Sequence, residues 1–131
     1  GVTVVTKLAT TGDIYAKEHL RGEGVKLVTL DDAALCALEV VQGKADVFIY
    51  DQISIYKHWE NHQDTTRAIL EPIREETWAI GIRKGEDELR ESVNAFLEGF
   101  REAGRFDELA ERYMSEEKRA FEKAGVPFIF H

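Results

Sequence analysis

The sequence predicts an α/β fold: a mainly parallel five-stranded sheet with one antiparallel strand and helices on both faces, followed by helices alone. Short β-branched runs alternate with helical segments through the first 84 residues, which is the pattern of parallel strands joined by crossover helices. Turn and cap residues punctuate that alternation at regular places, with Gly12, Gly22, Gly24 and Gly43 at element ends and Asp31-Asp32 ahead of a helix. From Gly85 onward the apolar residues recur only at helical spacing.

The first strand is the run Val2 to Thr6, and a helix follows from about Gly12 to Leu20, with Ile14, Tyr15 and Leu20 as its apolar contacts. Val25 to Leu30 alternates and reads as a second strand. The next helix carries Leu35, Leu38 and Val41 at spacings of three and ends at Gly43. Ala45 to Tyr50 is a third strand, apolar enough to be central in a sheet. A helix through Ile53, Ile55, Tyr56 and Trp59 comes next, ending in a polar loop at residues 61–64. Ala68-Ile69-Leu70 is a short fourth strand closed by Pro72, and Thr77 to Arg83 makes a fifth with Trp78 in the sheet core. The helical remainder has one apolar stripe at Leu89, Val93, Phe96, Leu97 and Phe100, and a second at Phe106, Leu109, Ala110 and Tyr113. Ser115 is placed to cap a final helix that ends at Gly125. Two regions follow from this change of character: residues 1–84 as an α/β lobe and residues 85–131 as a helical segment.

Composition narrows the function. A chain of 131 residues, 44% hydrophobic and 32% charged, with only two prolines, can bury a core and is not a disordered composition. Its 17 basic and 25 acidic residues give a formal charge of −8, which disfavours nucleic acid or an anionic membrane as partner. No apolar run approaches the roughly 20 residues a spanning helix needs. Cys36 is the only cysteine, which leaves no internal disulfide and no thiolate cluster; among Ala33-Ala34-Leu35 and Ala37-Leu38 it reads as a buried structural thiol. Gly1 directly before a strand reads as a trimmed start, so the lack of a signal peptide carries little weight.

The first turn is the richest stretch. Lys7-Leu8-Ala9-Thr10-Thr11-Gly12-Asp13 leaves the end of a strand and opens a helix, so backbone N–H groups at residues 10–13 sit at an uncapped helix start. Such an end attracts a carboxylate or phosphate, and two threonine hydroxyls and the Lys7 ammonium add donors. The plainer reading is that Thr10 or Thr11 caps the helix. Topology favours a site. In open parallel sheets ligands bind at the carboxyl ends of strands where the strand order reverses, which would place this turn beside Asp51 at the end of the third strand. A cluster of donors next to a lone carboxylate is complementary to the two charged ends of an α-amino acid.

At these residues the chain resembles a family. Val4 to Gly12, Gln42 to Val47 with Asp51, and Trp78 to Gly85 look like the second lobe of type II periplasmic solute-binding proteins of the polar amino-acid-binding family, components of ABC importers. The helix from Asp87 to Ala103, the Gly104-Arg105-Phe106-Asp107 turn and the Gly125-Val126-Pro127-Phe128 tail resemble the family's C-terminal part. The resemblance implies that Thr10, Thr11 and Gly12 contact an amino acid's α-carboxylate, that Asp51 holds its α-ammonium, and that Lys7 and Tyr50 line the cleft. It implies a small polar amino acid as ligand, an ABC permease as partner of the intact protein, and a periplasmic or extracytoplasmic location. It implies no enzyme activity, cofactor or metal. The family's first lobe, which supplies a carboxylate-binding arginine, does not match any part of this chain, so weak or undetectable binding by the chain alone is expected. Residues 85–131 would pack on that first lobe in an intact member. Here they are expected to fold back on the sheet or to exchange with a second copy as a homodimer.

Three other readings are weaker. A cyclohexadienyl dehydratase-like enzyme on the same fold would use Lys7, Asp51 and Glu76 for acid–base work, but Glu75-Glu76 reads as a solvated loop. A receiver-type signalling domain needs an acidic pair after strand one to hold Mg²⁺, where this chain has Thr6-Lys7. His58 and His62 are four apart, yet the zincin pattern needs glutamate directly after the first histidine and no third ligand is evident.

Overall fold

The computed structural model describes residues 1–130 and divides into two compact units, residues 1–70 and residues 71–130. In the first unit three strands and three helices alternate: β1 (Val2–Lys7), α1 (Thr11–His19), β2 (Val25–Leu30), α2 (Ala33–Val41), β3 (Val47–Ile49) and α3 (Gln52–Glu60). All three strands are parallel in the order β2-β1-β3, with Thr6 opposite both Thr29 and Ile49. The neighbouring of the first and third strands follows the expected topology.

Side-chain alternation separates the two faces of the sheet. On one face Val5, fully buried, meets Cys36 and Ala45, with Val28, Leu30, Val40 and Phe48 packed around them. On the other, Thr6 and Thr29 reach the start of α1 through Asp13. Helices therefore cover both faces, as expected.

Several expectations are corrected. The sheet has three strands, not five, and no antiparallel strand forms among the described residues. Ala68–Leu70 and Thr77–Arg83 take no ladder pairing, and Trp78, placed in the core by its sequence, is 71% exposed. A strand is stable only with a partner for its N–H and C=O groups, and alternation of Trp78, Ile80 and Ile82 cannot supply one. β3 is shorter than its apolar run and lies at the edge of the sheet, leaving β1 as the central strand. In α2 the buried residues are Cys36 and Ala37, while Leu35 and Leu38 face outward. In α1 they are Asp13 and Ala16, and Ile14 is half-exposed.

The second unit holds α4 (Asp87–Glu102), α5 (Arg105–Tyr113) and α6 (Ser115–Ala124). Its core is aromatic. Phe121 is fully buried and meets Phe128 edge-on at 5.3 Å, Phe130 stacks on Phe106 at 5.9 Å, and Phe100 meets Phe106 at 4.9 Å. Gly104 and Gly125 both turn the chain at φ 70°, a left-handed conformation that glycine adopts without steric cost. Ser115 is the first helical residue of α6 and not its cap; the cap position belongs to Met114. Lys118 ties α6 to α5 through Asp107 at 2.7 Å and Glu111 at 2.8 Å, and these two carboxylates push its ammonium well above the usual lysine range. α4 contributes no buried residue, and Leu89 and Phe96 stand more than half exposed.

Candidate functional site

β1 and β3 run side by side and end together, so the segments leaving them are neighbours. Lys7, the last residue of β1, holds its ammonium 6.0 Å from the ring centroid of Tyr50, which follows β3. Gly12 lies so close to the end of β3 that a Cβ built on it would stand 2.8 Å from the Ile49 carbonyl oxygen. Thr10, Thr11 and Gly12 at the start of α1 are thereby set against the strand end from which Tyr50 and Asp51 emerge. All six candidate ligand-binding residues, Lys7, Thr10, Thr11, Gly12, Tyr50 and Asp51, lie at the carboxyl edge of this strand pair.

The start of α1 is capped, which corrects the expectation of an open helix end. Thr10 Oγ1 accepts from the Asp13 N–H at 3.3 Å and donates to the Lys7 carbonyl at 2.7 Å. The Thr10 N–H also donates to Lys7 O, at 3.4 Å, closing a turn over Leu8 and Ala9. The N–H groups of Thr10 and Asp13 are therefore engaged within the turn. The first turn of α1 presents the positive end of the helix dipole.

Asp51 is also a cap. Its Oδ1 accepts from the Ser54 N–H at 3.0 Å and starts α3, while the side chain stays exposed at the sheet edge. A carboxylate has about four lone-pair sites, so one cap bond leaves capacity for a cation.

The residue that sequence reasoning missed is Asp13. It is 2% exposed and accepts four hydrogen bonds: Thr6 Oγ1 at 2.9 Å and Thr29 Oγ1 at 3.3 Å on one oxygen, the Ala9 N–H at 3.2 Å and Lys17 Nζ at 2.7 Å on the other. Burial pushes its carboxyl up, but the bonds from Lys17, Thr6 and Ala9 outweigh it and hold the group below its ordinary value. Thr10 with an acid three residues later, and Lys17 four residues beyond that, were the available signals.

Other candidates stay apart. Cys36 is buried, and burial pushes its thiol up, as suits a structural residue and not a nucleophile. His62 falls beyond the end of α3, so the His58–His62 pair does not share a helix. No group of three metal-ligating side chains exists among the described residues. A shallow cleft lined by Ile80, Ile82, Arg83, Glu86, Leu89 and Val93 contains none of the six candidate residues. No helix among the described residues is long and apolar enough to cross a membrane.

The chain is similar to known amino-acid-binding proteins. It is 25% identical over 109 residues to a probable histidine-binding protein of Neisseria gonorrhoeae, covering 82% of this chain and 41% of that one. It is 26% identical over 109 residues to the glutamate-binding protein GluB of Corynebacterium glutamicum, covering 79% and 37%. A crystal structure of a mutant ArgBP from T. maritima superposes with a TM-score of 0.69 at 27% identity, over 88% of this chain and 48% of that one. In sequence and in fold, this chain is similar to part of each of these amino-acid-binding proteins. No family model matches it. The chain spans about two-fifths of the length of the curated relatives it matches.

Proposed function

We propose that the chain presents half of an amino-acid cleft for ABC-type uptake outside the cytoplasm. The Thr10-Thr11-Gly12 turn takes the α-carboxylate, Asp51 takes the α-ammonium, and Lys7 and Tyr50 line the opening. One observation carries this reading: the donor-bearing start of α1 and the Asp51 carboxylate leave adjacent, parallel strand ends. The named relatives bind histidine and glutamate, which supports a small polar amino acid as the ligand. They are binding proteins, so recognition is favoured over turnover. In the whole protein a second lobe completes the cleft, and closure of the two lobes onto ligand is what a permease reads.

An amide-shift titration with histidine, glutamate and arginine tests the site. Shifts are expected at residues 7, 10–12, 50 and 51, weak because half of the cleft is lacking. Asp51→Asn keeps a capping side chain for α3 and removes the charge, so it should abolish those shifts at a stability cost of a few tenths of a kcal/mol. Asp51→Ala would confound the two effects by also losing a cap worth about 1 kcal/mol. Shifts confined to other residues would refute the assignment.

We also propose that the apolar face of α4 is covered by a second copy when the chain stands alone. Leu89 and Phe96 are the exposed anchors. Size-exclusion elution at the dimer mass is expected, shifting to the monomer for Phe96→Glu. Monomeric wild-type chain would contradict the proposal.

A further inference from the structure

Ala9 is the one residue other than glycine with positive φ among those described, at 59°. It occupies the second central position of the turn that the Thr10 N–H closes onto Lys7 O. Glycine or asparagine normally takes such a position, since a Cβ in the left-handed region crowds the following carbonyl. Something must hold an alanine there. The Ala9 N–H donates directly to Asp13 Oδ2, and Asp13 is itself fixed from both strands behind it, by Thr6 of β1 and Thr29 of β2.

We infer that Asp13 is a positioning residue for the carboxylate-binding turn. Its buried carboxylate holds Ala9 left-handed, and through Ala9 sets the direction in which Thr10, Thr11 and Gly12 face. The inference rests on the proposed role of that turn. It adds the reason the turn keeps its shape before any ligand arrives. The arrangement also places a negative charge behind a surface meant for an anion. The Lys17 ammonium, 2.7 Å from Asp13, offsets that charge, so the lock does not repel the group it serves. Local pre-organisation of this kind lowers the ordering cost of binding.

The test is a double-mutant cycle of Asp13→Asn and Ala9→Gly, read without ligand by amide shifts and hydrogen exchange at Thr10 and residue 13. Asp13→Asn should lower protection there by about tenfold, the ratio that a left-handed alanine's strain implies. Ala9→Gly in that background should restore it, since glycine holds the same conformation without the carboxylate. A residue that served only as buried ballast would not be rescued this way. If Asp13→Asn does not fold by itself, recovery of folding in the double variant is the supporting result. An unchanged turn in Asp13→Asn, or a double variant no better than Asp13→Asn, overturns the inference. Ligand response is read separately: wild-type chain whose turn obeys the cycle while glutamate shifts only residues other than 7, 10–12, 50 and 51 would count against the carboxylate role alone.

Discussion

Asp13→Ala is expected to destabilise the first unit by about 2–4 kcal/mol at neutral pH. The substitution leaves the Thr6 hydroxyl, which is buried, and the Thr29 hydroxyl and Ala9 N–H without their acceptor. The hydroxyls can rotate to other acceptors, which limits the loss. Lys17 is 40% exposed and rehydrates, so its ion pair adds little. The pH dependence has a definite sign. The carboxyl is held below its ordinary value of 3.8 in the folded protein, so the folded state favours the ionised form. The contribution is full above the unfolded value and is lost as pH falls through the folded one. Wild type and Asp13→Ala should therefore differ by a constant amount from neutral pH down to about pH 5, then converge on further acidification. Urea unfolding curves at stepped pH give both quantities. A gap that widened towards acid would mean the carboxyl is protonated in the native state.

That residue also shows where sequence reading stops. The parallel strands β1 and β2 and all six helices were legible because each rests on local signals: β-branched runs, cap residues and terminal glycines. The pairing of β1 with β3 followed from topology, and it placed the six candidate residues at one sheet edge. Asp13 escaped because the strand hydroxyls behind it, Thr6 on β1 and Thr29 on β2, are brought to it only by the fold. An acid in the first helical turn looks like a complement to the helix dipole, and nothing near it in sequence announces Thr29, sixteen residues on. Ala9 escaped for a related reason, since a left-handed residue is anticipated only where glycine or asparagine stands. The fourth and fifth strands failed in the opposite direction. Ile69, Trp78, Ile80 and Ile82 have strand chemistry, but strand formation is a property of a pair, and here the pairing is not made.

Gly12→Ala is expected to destabilise the first unit by about 1–3 kcal/mol, against the usual preference of helices for alanine. Two effects compete. Alanine gains up to about 1 kcal/mol over glycine inside a helix, and less in the first turn. Against it stands a Cβ only 2.8 Å from the Ile49 carbonyl oxygen and 3.2 Å from the Ile49 side chain. The nearer obstacle is backbone, which cannot rotate away, so either α1 shifts outward or β3 does. The clash should therefore win. Gly99→Ala is the control, because that position lies within α4 and an added Cβ there meets nothing within 4 Å. It should stabilise its helix by about 0.5–1 kcal/mol. The functional consequence is the sharper test. If the start of α1 must lie against the end of β3 for the turn and Asp51 to face one ligand, Gly12→Ala should remove the amino-acid-induced shifts at residues 10–12 and 51 together. Loss at the turn with Asp51 still responding would mean that the two ends of the amino acid are read independently, and the shared strand edge would no longer be the basis of the site.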